Sequence, residues 1–109
     1  MEKKAFEPAV VFEWNQRVDY SADGIVSKRV IDRPMGSVTL FAFDKGQRLS
    51  EHSAPFDALV QVTEGEGEFI IGGVSHLLRQ GQCIIMPANI PHAVKATERF
   101  KMVLTMIKG

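Results

Sequence analysis

The chain has one cysteine and no net charge, and each shortage removes a class of explanation. A lone cysteine cannot close a disulfide within the chain, so a disulfide-stapled scaffold is excluded and a reducing compartment suits the protein. Thirteen lysines and arginines balance thirteen aspartates and glutamates, which leaves no basic excess to attract nucleic acid. The longest apolar runs, such as Cys83-Ile84-Ile85-Met86, fall far short of bilayer thickness, so no membrane span is expected. The opening residues MEKKAFEPAVVFEW carry charge where a secretory leader would be apolar, and a cytoplasmic location is expected. No repeat with a period of about 20 to 50 residues is found, which sets solenoids and propellers aside.

What is present suits one globular domain. At 109 residues, 45% apolar and 24% charged, the chain can build a single core but not two. Glycine and proline divide residues 24–108 into blocks of roughly five to nine residues, the spacing of an all-β sandwich or barrel. Strands are predicted at Ile25 to Ile31, Ser37 to Asp44, Ala58 to Thr63, Gly67 to Ile71, Val74 to Leu78, Gln82 to Met86, His92 to Lys95 and Phe100 to Ile107. Gly72-Gly73 reads as a tight hairpin turn. Pro34-Met35-Gly36, Lys45-Gly46, Glu64-Gly65 and Gln80-Gly81 read as the other turns. Trp14 to Ser21 has few strong helix formers and predicts one helical turn at most. Residues 1–23 are read as an N-terminal arm and 24–109 as the barrel domain, with Ala9 to Phe12 a candidate edge strand in this chain or a partner.

Two histidines stand in glycine- and proline-framed runs. The first is Gly46, five residues, His52-Ser53-Ala54, then Pro55-Phe56-Asp57-Ala58 and, further on, Gly65. The second is Gly81, five residues, Pro87-Ala88-Asn89, then Ile90-Pro91-His92. These runs resemble the two motifs of the cupin superfamily, closely over residues 46–96 and by strand tally over about 24–108. The resemblance implies a jelly-roll β-barrel with a pocket at its mouth, commonly assembled as a homodimer. In the family the first motif places two histidines and a glutamate, and the second a histidine, around one metal ion.

His52 and His92 occupy two of those four positions, while Ala54 and Ala58 stand at the other two and Asn89 at a glycine. A methyl group donates no lone pair, and protein metal sites usually need three or four ligands. Asp57, Glu51 and Gln61 each lie one residue out of phase and so point to the opposite strand face. Met86, Met102 and Met106 are candidates to line the pocket, where thioether and imidazole together would suit a soft ion such as Cu(I). The expectation is therefore a pocket without a metal rather than one holding a divalent transition ion, whose ligands would be His52 and His92. A small-molecule pocket is predicted, lined by His52, Ala54, Phe56, Ala58, Val60, Val62, Met86 and His92. In it the histidines bond a guest, or each other and water. Phe56 is expected to narrow the mouth and favour an apolar or aromatic guest. The alternative function is a metal-dependent cupin enzyme of the dioxygenase or isomerase kind using His52 and His92. A structural dimer with a vestigial pocket is the third.

Other conspicuous residues have plainer readings. His76 is expected at a surface or edge, and Cys83 as a buried, inert thiol. Glu64, Glu66 and Glu68 share a strand face and read as a solvated sheet edge. Leu40, Phe41, Ala42 and Phe43 form an apolar strand buried on both faces, as Phe100, Met102, Leu104 and Met106 do near the C-terminus. A dimer partner or a covering arm would account for the outward side.

Overall fold

The computed structural model describes residues 6–108. A 3-10 turn at Trp14–Gln16 is followed by β1 (Ile25–Arg33), β2 (Gly36–Phe43), β3 (Arg48–His52), β4 (Asp57–Ile71), β5 (Val74–Arg79), β6 (Cys83–Met86), β7 (His92–Lys95) and β8 (Phe100–Ile107). Every pairing is antiparallel. The all-β architecture expected from the block spacing is observed, in the jelly-roll form that the cupin resemblance implies, and no helix among the described residues is long and apolar enough to cross a membrane.

The barrel is organised by β4. Its first half pairs with β8 on one side and β6 on the other, and its second half with β7 and β5. One strand thus belongs to two sheets, β1-β2-β8-β4-β6 and β5-β4-β7-β3. Ala58, Val60 and Val62 are buried before the change of sheet, and Gly67 and Phe69 after it. The buried phase switches from even to odd numbers because the register against β8 slips between Val62 and Glu64, as a bulge requires. Gly65 sits in the slip with φ at 76°, a left-handed backbone that costs glycine least. The predicted strands at 58–63 and 67–71 are therefore one strand, and Glu64-Gly65 is its bulge, not a turn.

Phe43 and Phe100 stack between the two sheets with centroids 4.5 Å apart, and Phe69 meets Phe100 edge-on at 5.9 Å. All three rings are fully buried, each contributing about 1.5–3 kcal/mol by removal from water. A Cβ at Gly67 would lie 2.9 Å from the Phe100 ring, so the absence of a side chain there admits the aromatic cluster.

Residues 6–23 cover the outer face of β2 and β8. Val18 packs with Leu40, Ala42 and Val103, joined by Phe6, Trp14 and Tyr20. Asn15 Nδ2 donates to the Thr63 carbonyl at 3.0 Å, Lys101 Nζ donates to the Asn15 carbonyl at 2.7 Å, and the Tyr20 hydroxyl donates to Glu64. Within one chain the arm is thus the cover that the two-sided apolar strands demanded.

Three further expectations need correction, and one strand lies outside the predicted set. Ala9 to Phe12 forms no strand in this chain, since Ala9 turns the backbone at φ 63°. β3 escapes prediction because four of its five residues are exposed. Glu64, Glu66 and Glu68 do not mark a solvated edge, because β4 is interior to both sheets and each carboxylate has a partner: Lys101 and Tyr20, Arg79 and Thr97, and Ser75. Cys83 is exposed rather than buried, since β6 turns Ile84 and Met86 inward and its alternate residues out.

Candidate functional site

The site lies where β3 and β7 bring the two sequence motifs together. His52 and His92 are directly opposite each other in the β3–β7 ladder, just past a register shift between Leu49 and His52. Behind each ring lies the carbonyl two residues earlier. His52 Nδ1 lies 2.8 Å from Ser50 O, and His92 Nδ1 lies 3.3 Å from Ile90 O. Both Nε2 atoms then point at one another across 3.1 Å. The rings meet edge-on with centroids 4.4 Å apart. His52 is exposed at the mouth and His92 is buried. Burial, and secondly the neighbouring His52, hold the His92 pKa below its usual 6.5, so its ring is neutral at physiological pH.

The loop before His92 is fixed to the segment after His52. Asp57 Oδ1 accepts from the Ala88 amide at 2.8 Å, and the Asn89 amide donates to the Ala54 carbonyl at 2.7 Å. Asn89 has φ at 65°, a left-handed conformation that asparagine tolerates better than most residues. Its replacement of the motif glycine therefore leaves the turn intact. Asp57 is a fastener of this loop, facing away from the cavity as the strand phase predicted.

The histidine pair caps a cavity of about 210 Å³ lined by Phe41, Leu49, His52, Ala54, Phe56, Ala58, Met86, His92, Val94, Met102, Leu104 and Met106. Six of the eight predicted lining residues are on its wall: His52, Ala54, Phe56, Ala58, Met86 and His92. Val60 and Val62 are not. They share the inward phase of Ala58, but their branched side chains end in the packed core. The longer Leu104 and Met102 opposite them in β8 reach the cavity instead. Phe41, Leu49 and Val94 were missed as lining residues. Inward alternation on β2 and β7 could have found Phe41 and Val94, whereas Leu49 lies on the unpredicted β3. A shallower groove of about 400 Å³, between the arm and Thr63, contains none of the histidines. His76 lies apart, on β5 opposite Phe69.

The donor set does not fit a divalent ion of the kind the cupin resemblance implies. Ala54 and Ala58 face the cavity with methyl groups, while Glu51, Asp57 and Gln61 are exposed. No cluster of three or more histidine, cysteine, aspartate or glutamate side chains forms among the described residues. Two imidazoles offer neither the ligand number nor the negative charge that a buried dication needs.

Comparison with known proteins agrees with the fold. A family model described as the cupin domain matches residues 39–108, and no curated protein matches the sequence. A conserved Streptococcus pyogenes protein of unknown function is 38% identical, with 94% of this chain and 90% of that one covered at a TM-score of 0.90. A cupin 2 conserved barrel domain protein from Leptotrichia buccalis is 43% identical at a TM-score of 0.87, with 89% of this chain and 47% of that one covered. The chain thus spans about half the length of the Leptotrichia protein. A cupin superfamily protein from Desulfitobacterium hafniense shares the fold over 100% of both chains at a TM-score of 0.90 and 19% identity.

Proposed function

The chain belongs to the cupin family, whose domain it carries over residues 39–108, and on that premise we propose that its barrel binds a small, largely apolar organic molecule through one hydrogen-bonding end. The supporting observation is the composition of the cavity wall, where His52 and His92 are the polar side chains and ten apolar residues make up the rest. A guest with a single carboxylate, phenol or carbonyl places that group between the imidazoles and its body against Met86, Met102, Leu104 and Met106. A sugar would leave several hydroxyls unpaired against the same wall, each costing about 1–3 kcal/mol. The volume of about 210 Å³ is below the range of drug-sized sites, which restricts the guest to a short acid or a single ring. Phe56 lines the entrance with Lys108 Nζ 5.9 Å from its ring centroid, so a cation stands near the path an anionic guest would take.

Binding requires the His52–His92 contact to open, because in the closed pair each Nε2 is engaged with the other. The metal-dependent dioxygenase or isomerase reading finds no support in the donor set. A second copy of the chain is proposed to cover Leu59, Ile85 and Ile107, exposed apolar residues next to one another on the outer face of β6, β4 and β8.

A thermal-shift panel of short-chain acids, phenols, lactones and sugars, run in chelator, tests the binding reading. A molecule that binds the folded state alone at a hundred times its dissociation constant stabilises it by about 2.7 kcal/mol. Apolar acids or phenols should raise the melting temperature of the protein but not of the His92→Ala variant. A panel in which sugars stabilise and apolar acids do not would overturn the assignment, and no response from any class would favour a vestigial cavity.

A further inference from the structure

We propose that the same cavity is a Cu(I) site, with His52 and His92 supplying imidazole nitrogen and Met86 and Met106 supplying thioether sulfur. This goes beyond the organic-guest reading and does not depend on it. The first observation is how the imidazoles are held. Each Nδ1 faces a backbone carbonyl, Ser50 O or Ile90 O, and each Nε2 faces the other at 3.1 Å. A carbonyl behind Nδ1 is how metal-bound histidines are oriented, and it leaves Nε2 as the nitrogen that meets an ion once the His52–His92 hydrogen bond opens. Two nitrogens with this separation, each about 2.0–2.1 Å from a common ion, would subtend about 100° there, close to a tetrahedral angle.

The second observation concerns Ala58, where the methyl has replaced an oxygen donor. Ala58 is the register partner of Met86 on β6 and of Met106 on β8. Directly opposed residues of an antiparallel pair have neighbouring side chains on one face, so the alanine is flanked on both sides by methionine. Both thioethers, and that of Met102 deeper in β8, line the same cavity as the histidines. The third is charge and hardness. The cavity wall carries no carboxylate, hydroxyl or thiol side chain, so every donor is neutral and soft or borderline. A dication there would be buried without an anionic ligand, whereas a soft monovalent ion carries half the charge and prefers sulfur and imidazole.

Cu(I) enters and leaves as Cu(I), with no electron transferred. A proton on His92 Nε2 in the empty pair moves to Nδ1, where the Ile90 carbonyl accepts it, so binding releases no net proton.

The test uses protein without a histidine tag in which Cys83→Ser removes the exposed thiol, a Cu(I) ligand on the outer face. Cu(I) is titrated anaerobically against bicinchoninate, with Zn(II) titrated in parallel. The expected result is one Cu(I) per chain, held at least about a hundredfold more tightly than Zn(II), with both nitrogen and sulfur neighbours in the X-ray absorption fine structure. Adding Met86→Leu and Met106→Leu, swaps that conserve volume and leave the fold intact, should weaken Cu(I) at least about tenfold. No uptake of Cu(I), unchanged affinity in the double leucine variant, equal or tighter Zn(II) binding, or a nitrogen-only shell would each overturn the proposal. The organic-guest panel, run in chelator, stands or falls separately.

Discussion

His52 and His92 hold each other by their Nε2 atoms at 3.1 Å, but their carbonyl anchors are unequal, 2.8 Å for His52 and 3.3 Å for His92. A contact between two ring nitrogens needs one proton between them. The tighter anchor keeps its Nδ1 proton, so His52 donates to Ser50 O and accepts at Nε2. His92, with the looser anchor, provides the Nε2 proton.

Long-range nitrogen–proton correlation spectra at pH 7.5 should therefore show opposite tautomers, with the proton on Nδ1 of His52 and on Nε2 of His92. Identical tautomers for the two rings, or an imidazolium signal from His92 at that pH, would contradict this arrangement.

The histidines and the missing donors were legible in the sequence because glycine and proline spacing fixes the turns on either side of them, and two-residue alternation fixes which neighbours share their face. Depth in the barrel was not legible. Alternation places Val60, Val62 and Ala58 on one side but does not say that Leu104 and Met102 outreach the valines. The bulge at Gly65 also looked like a turn, since a left-handed glycine serves both. What separates them is the pairing of β4 with β8, which continues through Glu64 and Gly65 and is invisible to local reading. Cys83 was misjudged for a related reason, because its apolar neighbours in β6 concealed which phase faces the core.

Gly65 should tolerate no side chain. A Cβ at this residue would lie 1.8 Å from the Arg99 carbonyl oxygen, and the backbone is already at φ 76°. The Gly65→Ala variant must then move β8 or flatten the bulge that lets β4 change sheets. A loss of about 3 kcal/mol or more is expected in urea denaturation. A loss below about 1 kcal/mol would mean that the bulge is not needed for the fold.

Stability should fall at both ends of the pH scale, through different groups. Hydrogen bonding from Arg99 holds the Asp44 carboxyl below its ordinary range, and Arg79 does the same for Glu66. The unfolded chain binds more protons there, so their contribution is present above the unfolded carboxylate pKa of about 4 and is lost as pH falls through the folded values. Tyr20 behaves oppositely. Burial, and then its hydrogen bond to Glu64, push the phenol well above 10. Its contribution is complete below about pH 10 and is lost as pH rises beyond it, because the unfolded chain gives up the proton first. Denaturation curves across pH should show a shallower acid limb for Asp44→Asn with Glu66→Gln and a shallower alkaline limb for Tyr20→Phe. An alkaline limb unchanged in the tyrosine variant would remove Tyr20 from this account.

Leu59, Ile85 and Ile107 offer a test of assembly. Leu59 pairs in register with Ile85, and Ile107 with Asp57 two residues earlier on β4. The three are 43%, 60% and 61% exposed. The arm ends its cover at Val103 and Thr63, so this stripe has no cover within the described residues, and β6 beside it pairs with β4 alone. A two-fold axis running along the stripe, across β6, β4 and β8, would place each copy's stripe on the other, the self-complementary contact of a closed dimer. Light scattering should give a dimer for the native chain. Ile85→Glu, which sets like charges against each other across the axis, should give a folded monomer. Ile85 points away from the cavity, so that variant should keep its response to small-molecule ligands; a dimer unaffected by the glutamate would place the interface elsewhere.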